Sequence, residues 1–343
     1  MRKRISVIFC LVVSLFTFVT LDSSIDKALG AEEKYPSRSI DMFCAYVPGG
    51  YADLINRFFV KGLEKYLKVL VIPGNKPGGG EVVAAIELAN SKPDGYTVAF
   101  LADGPLIITP LLGKAEEYRD KLRIVAKLIC TTQVMAVSTE SPWKTFQEFM
   151  DYAHKNPGLT YGHGGVATAM HIRAEYLNKI GNLKMRGVPF KGDPEVTQAV
   201  LGKHVSAGFF SYQAPKRLAD AGKMRILFSF TPPGFGPDPT LPTITSFFGK
   251  DTPDILPPSI YVVVPGKTPE NIIKVLEGAT EKVSQDPEFV NNLKTLYAQV
   301  CFTDSKTVYR DVLLKQGSIY KPILQSVGLK VVEGKEGMMA GVQ

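Results

Sequence analysis

Residues 39–67 read SIDMFCAYVPGGYADLINRFFVKGLEKYL, and the fold is decided by how this stretch is parsed. Ser39 to Val47 is a largely apolar run with the length and residue types of a strand. Pro48-Gly49-Gly50 stops it, because proline cannot donate to a sheet ladder and glycine frees the backbone. From Asp53 to Leu67 the apolar positions take helical spacing, with Leu54, Phe58 and Leu63 on one side and Arg57, Lys61 and Glu64 charged. Ligands of open α/β sheets sit at the carboxyl ends of strands, and a helix start presents unpaired N–H groups and partial positive charge. The loop from Pro48 to Asp53 is therefore a candidate anion site, with Asp53 as the helix cap. The plainer reading is an ordinary glycine turn with an aspartate cap.

Outward from this unit the alternation continues. Val69 to Ile72 reads as a short buried strand, Pro73 to Gly80 as a loop, Glu81 to Ser91 as a helix, Lys92 to Gly95 as a turn and Tyr96 to Leu101 as a strand. Further strands are expected at 133–137, 159–161, 185–190, 205–210, 225–230 and 260–264. Helices are expected at 145–154, 168–180, 194–201, 213–221, 269–284, 287–296 and 305–326. Such alternation predicts an α/β protein with a mainly parallel sheet. Ala136 to Glu140 and Pro257 to Tyr261 are plausible crossing segments. They predict a discontinuous first lobe, 31–138 with 259–343, and an inserted second lobe, 139–258.

The amino terminus has the three parts of a secretory leader. Arg2, Lys3 and Arg4 precede an apolar stretch from Ile5 to Leu21, and small residues around Gly30 suit cleavage there or after Ala31. The alternative is a retained membrane anchor, for which the stretch is at the short end. Cys10 lacks the small residue that precedes a lipidated cysteine. The chain carries a formal charge of +7, and loss of the leader, with its four basic and two acidic residues, leaves +5. The basic residues are scattered, with no stripe interleaved by aromatics, so nucleic acid is not an expected partner. A weak bias toward anionic ligands remains. Cys44, Cys130 and Cys301 are far apart in sequence and form no CxxC motif. One disulfide with one free thiol is possible in an oxidising compartment, but the strand-like settings of Cys44 and Cys130 favour buried free thiols.

A second glycine loop, Tyr161 to Thr168, again joins strand to helix and offers Thr168 and its neighbours to an anionic group. His163 and His171 lack a partner at metal-ligand spacing and read as structural. Gly49-Gly50 is not a dinucleotide fingerprint, the run Gly74 to Gly80 has no GK[ST], and no GxSxG elbow is present. No nucleophile or acid–base set assembles, so no catalytic residue, metal or cofactor is expected.

Seven short motifs follow one another along the chain: Pro48-Gly49-Gly50 with Asp53 and Arg57; Asn75-Lys76-Pro77-Gly78 with Gly79-Gly80; Lys92-Pro93-Asp94-Gly95-Tyr96-Thr97; Gly165 with Thr168 and His171; Val188-Pro189-Phe190-Lys191-Gly192; Leu241-Pro242-Thr243; and Val264-Pro265 with Thr268-Pro269. In this order the sequence resembles the periplasmic solute-binding proteins of tripartite tricarboxylate transporters, the Bug or TctC-like family, from about Tyr35 to Leu329. The resemblance implies a Venus flytrap of the type II periplasmic-binding-protein kind, two α/β lobes with a cleft between them. It implies a periplasmic monomer that captures a small carboxylate and hands it to membrane permease subunits without catalysis. Carried onto this chain, its binding candidates are Tyr46, Gly49, Gly50, Asp53, Ala102, Asp103, Gly104, Gly165, Ala167, Thr168, Gly192 and Phe210.

Four positions depart from the family pattern. Ala167 stands where glycine is usual, Ser206 replaces a common aspartate, Ser246 replaces a common glutamate, and Asp103 stands where small polar residues are typical. A carboxylate at Asp103 would repel a second ligand carboxylate and attract an ammonium, which predicts a ligand with one carboxylate plus an amine or hydroxyl. The other reading of Asp103 is a turn cap or a solvent-facing side chain. A second functional class, a periplasmic sensor presenting its liganded state to a membrane histidine kinase, shares the fold.

Overall fold

The computed structural model describes residues 34–231, 237–249, 252, 257–309 and 314–332. The expected leader, with Cys10 and its cleavage site, lies outside them, as does part of the helix expected at 305–326. Every element below belongs to the compact unit Arg38–Gln343. Among the described residues no helix is long and apolar enough to cross a membrane.

The deciding stretch folds as strand β1 (Ile40–Cys44) and helix α1 (Tyr51–Leu67). The helix buries Ile55, Phe59, Val60 and Leu63, while Leu54 and Phe58 are only half-buried. The apolar face is thus turned by one residue from the expected one. The neighbours explain the turn: Phe59 stacks on Phe100 with ring centroids 5.1 Å apart, and the backbone at Gly62 lies against Val283.

Two sheets follow. In the first, β2 (Val71–Asn75) is the edge strand, and β1 lies between it and β3 (Thr97–Ala102), parallel to both. Beyond β3 come β10 (Ser259–Pro265), β4 (Leu122–Cys130) and β11 (Gln299–Asp304), all joined by antiparallel ladders. The second sheet runs β7 (Arg186–Pro189), β6 (Thr160–His163), β8 (Ala207–Ser211), β5 (Gln133–Ser138) and β9 (Met224–Ser229). There β6 is parallel to both of its neighbours and β5 antiparallel to both of its own. Both sheets are mixed, which corrects the expectation of a mainly parallel one. Strand β4 passes to β5 of the other sheet through Thr131-Thr132 alone, without a helix, whereas the helix Ile244–Phe248 lies between β9 and β10.

Helices cover the sheets: α2 (Val82–Ala89), α3 (Phe146–Lys155), α4 (Ala169–Ile180), α5 (Asp193–Leu201), α6 (Gln213–Asp220), α7 (Glu270–Ser284), α8 (Pro287–Thr295) and α9 (Leu314–Ser326). Strand β5 is buried along its whole length, as a strand covered on both faces must be. Met135 and Val137 enter the larger core, while Val134 and Ala136 enter the one that holds Val196 and Phe210. This period of two fixes which side chains of the second sheet face which helices. The pairing of β5 with β8 and β9 also places 133–138 in the second sheet, so the first crossing falls before the boundary drawn at residue 138.

Strand β11 was not expected, and β4 was expected only as the strand-like setting of Cys130; their pairing changes the cysteine reading. Cys130 and Cys301 form a disulfide although 171 residues separate them, with Cα atoms 5.6 Å apart. Among the described cysteines only Cys44 is a free thiol, buried, its pKa pushed up to about 11 by burial. Cys130 sits in a strand as expected, but that strand lies beside another cysteine-bearing one, and adjacent strands supply the separation a disulfide needs.

Candidate ligand-binding cleft

The loop after β1 is set by Asp53. Its Oδ2 accepts from the Gly49 N–H and from Arg57 Nε, each at 2.9 Å, and its Oδ1 accepts from Asn75 Nδ2 at 2.9 Å. Burial pushes the Asp53 carboxyl up, but the hydrogen bonds from Arg57, Gly49 and Asn75 together outweigh it and hold the group below the usual range. With Asp53 committed to the loop, the first turn of α1 has no side-chain cap, and Gly50, Tyr51 and Ala52 border a cavity of ≈ 60 Å³. The cavity lies between the carboxyl ends of β1 and β3 in one sheet and of β6, β7 and β8 in the other, where the topology of open sheets places ligands.

Four helix starts converge on this cavity. Their N-cap residues are Gly50 for α1, Glu81 for α2, Thr168 for α4 and Gly192 for α5, and all four border it. Only Thr168 caps with its side chain, its Oγ1 accepting from the His171 N–H at 3.3 Å while donating to the Gly165 carbonyl at 2.8 Å. Each helix start carries roughly half a positive elementary charge. None of the described residues bordering the cavity is Lys, Arg or His, so these N-termini are the positive features that meet a ligand.

Two acids also face the cavity, and neither is among the expected site residues. Glu81 is 2 % exposed. Its Oε1 accepts from Tyr46 Oη at 2.9 Å and its Oε2 from the Ala102 N–H at 2.7 Å. Burial pushes its carboxyl up to about 7 against those hydrogen bonds, and the negative charge of Asp103 adds to the rise. Asp193, in the first turn of α5, is likewise lifted by burial to about 7 against hydrogen bonds from Ser211. Glu81 has left-handed backbone, φ 77° and ψ −7°, directly after Gly79 and Gly80 in the same region. Such a backbone costs a non-glycine residue about 1–2 kcal/mol. In the sequence Glu81 reads as the first residue of a helix, and its conformation has no local sequence signal.

Of the expected site residues, Tyr46, Gly50, Ala102, Thr168 and Gly192 border the cavity. The others lie beside or behind it. Gly49 gives its N–H to Asp53. Gly104 touches the Glu81 carboxyl, and Gly165 packs on Gly80. Ala167 donates its N–H to His171 Nδ1 at 3.2 Å, with φ 60°. Phe210 points into the second core, because strand alternation gives the cavity its neighbour Ser211 instead.

Asp103 requires a correction. It is fully buried, and its oxygens accept from Tyr261 Oη at 3.0 Å, Tyr320 Oη at 3.1 Å and the Ser259 N–H at 3.4 Å. Burial lifts its carboxyl to about 6, opposed first by the charge of Arg173. It does not border the cavity; its side chain turns toward Tyr320 of α9 and Arg173 of α4 beneath it. His163 and His171 stack at 4.3 Å, and burial lowers both imidazoles, His163 to about 3, so the pair packs within the loop. No cluster with metal-holding geometry occurs among the described residues.

The sequence matches the family described as "Tripartite tricarboxylate transporter family receptor" over residues 55–329. A UPF0065 protein of Cupriavidus necator is 30% identical over 310 residues, covering 87% of this chain and 90% of that protein. Among solved structures, an adipate-bound protein of R. palustris superposes with a TM-score of 0.79 at 20% identity, covering 86% of this chain and 99% of the other. The periplasmic binding protein BugD gives 0.78 at 20% identity with the same coverage. The fold is that of two-lobed periplasmic binding proteins, as the motif order implies.

Proposed function

This chain belongs to the tripartite tricarboxylate transporter receptor family, and on that premise we propose that it captures a small carboxylate-bearing organic acid or amino acid and delivers it to a membrane permease of the tripartite type. The observation that carries the reading is the convergence of four helix starts on one cavity that no basic side chain borders among the described residues. Backbone N–H groups and helix dipoles hold a carboxylate without a counter-charge and release it without breaking a salt bridge. The solved relative with adipate is consistent with a carboxylate occupant. Capture takes place outside the cytoplasmic membrane, after removal of residues 1 to about 30, and involves no turnover.

The two lobes meet around the ligand. Tyr46 and Gly50 of the first approach Gly164, Gly192 and Pro194 of the second. Closure of these walls gives the permease a liganded shape to recognise, a hinge motion in which few residues change backbone conformation. Native mass spectrometry of the gently purified protein tests the assignment. It should detect a carboxylic acid of low mass that is shed on denaturation and rebinds stoichiometrically to the stripped protein. A resident molecule with no carboxylate would overturn the reading.

A further inference from the structure

The cavity takes in two buried acids and, among its described lining residues, no cation, and these acids go unused if the occupant is only an anion. The starts of α1 and α4 border it at Tyr51-Ala52 and Ala169-Met170, and the acids Glu81 and Asp193 stand at the starts of α2 and α5. A dicarboxylate laid across this space would set its second charge against these acids. Gln133, at the start of β5, also borders the cavity, is 7 % exposed, and its Oε1 has no hydrogen-bond partner. A buried acceptor left without a donor is costly in a folded protein and marks a place where something else supplies the hydrogen.

Glu81 is held there at a cost. A glutamate is placed in left-handed backbone at a position where the two preceding residues are glycines, and both of its oxygens are oriented by Tyr46 and Ala102. Each carboxylate oxygen retains a second lone-pair direction. Local strain persists where the surroundings over-determine it, and it concentrates at ligand clamps.

We propose that Glu81, with Asp193 and Gln133, forms an ammonium-recognising subsite, so that the ligand of this protein is a zwitterion whose carboxylate meets the α1 and α4 helix starts and whose ammonium meets Glu81. The proposal rests on the carboxylate-capture reading and narrows it to amino acids and related amino carboxylates. Glu81 determines the specificity: an ammonium satisfies its charge and the orphaned Gln133 oxygen, whereas a second carboxylate satisfies neither. Losing a charge-assisted hydrogen bond of this kind weakens binding by about ten- to a hundredfold.

The test is isothermal titration calorimetry at pH 8 with matched series of two to six carbons: α- and ω-amino acids, the corresponding monocarboxylates, and the corresponding dicarboxylates. Wild type is compared with Glu81→Gln, Asp193→Asn and Asp103→Asn. The best amino carboxylate is expected to bind at least about tenfold more tightly than its matched dicarboxylate. That preference should collapse in Glu81→Gln, fall in Asp193→Asn, and persist in Asp103→Asn, whose carboxyl lies beneath the floor. Circular dichroism melting of each variant separates loss of selectivity from loss of fold. Equal or tighter binding of dicarboxylates by wild type, or an unchanged preference in a folded Glu81→Gln protein, overturns the ammonium subsite and leaves carboxylate capture standing. Absence of binding across all three series overturns both.

Discussion

At the scale of single residues, Glu81 is the point where ligand chemistry and stability meet. In the folded chain its carboxyl is raised from 4.5 to about 7, mainly by burial. A folded-state pKa above the unfolded value means that folding favours the neutral acid. The stability so gained is fully present below the unfolded value and is lost as pH rises through about 7. Asp193, raised from 3.8 to about 7, acts in the same direction. The ligand-free protein should therefore lose stability between pH 5 and 8, and Glu81→Gln should remove about 2–3 kcal/mol of that loss. Urea midpoints across this range read the slope; equal slopes in the two proteins would contradict the assignment. The groups that face Glu81 are Tyr46, Asp103 and Tyr118, with Asp193 beyond Tyr46, and none of these is a cation. Tyr46, Gly50, Ala102, Thr168 and Gly192 were legible through the resemblance, and Gly50 and Thr168 also through the glycine loops that open their helices. Glu81 and Asp193 were not, since an acid at a helix start is the commonest of caps and nothing nearby declares that it is buried. Asp103 was legible as unusual but not as buried, because the direction of a side chain just past a strand end depends on how the chain leaves the sheet.

At the scale of elements, the closure contact runs between two glycine loops. Gly80, at φ 61°, lies so close to the second lobe that a Cβ on it would stand 2.0 Å from the Val166 carbonyl oxygen. Gly80→Ala must part the lobes or displace the loop 164–167. If the closed state is thereby disfavoured by the equivalent of one decade in population, ligand affinity falls about tenfold. The first lobe's own packing is untouched, so its melting transition should persist. Titration of the variant with the wild-type ligand checks this, and unchanged affinity would show that the contact does not belong to the binding-competent state. The strands and helices from β1 to β10 were legible as an alternation of apolar periods, within a few residues at each end. The exceptions have physical causes. Strand β4 is buried nearly throughout and so shows no alternation of apolar and polar residues. Strand β11 is half-buried at an outer position of the sheet, and its polar residues hide it. Missing that pair also hid the disulfide, whose partners are neighbours only through the β4–β11 ladder.

At the scale of the whole molecule, two mixed sheets meet at one cavity, and the chain first passes between them through Thr131-Thr132 alone. A buried cluster below the cavity ties the parts together. Asp103 follows β3, Tyr261 comes from β10, Tyr320 from α9 and Arg173 from α4, with Arg173 Nη2 donating to Tyr320 Oη at 3.3 Å. The C-terminal helix α9 thus bears on both the first sheet and the helix that opens onto the ligand. The architecture was legible because seven short motifs kept their order along the chain, and motif order reports topology even where no single motif is specific. The central claim is that a small carboxylate is held between the lobes at the start of α1. It is tested most directly by calorimetric titration of wild type and of Gly50→Trp with a panel of organic and amino acids. A Cβ added to Gly50 would stand 3.8 Å from Pro194 Cδ across the cleft, so an indole there fills the space between the lobes. The account predicts one saturable site for a carboxylate in wild type and loss of that site, by a factor of about a hundred or more, in a folded Gly50→Trp protein. Equal affinity in the two proteins would contradict it.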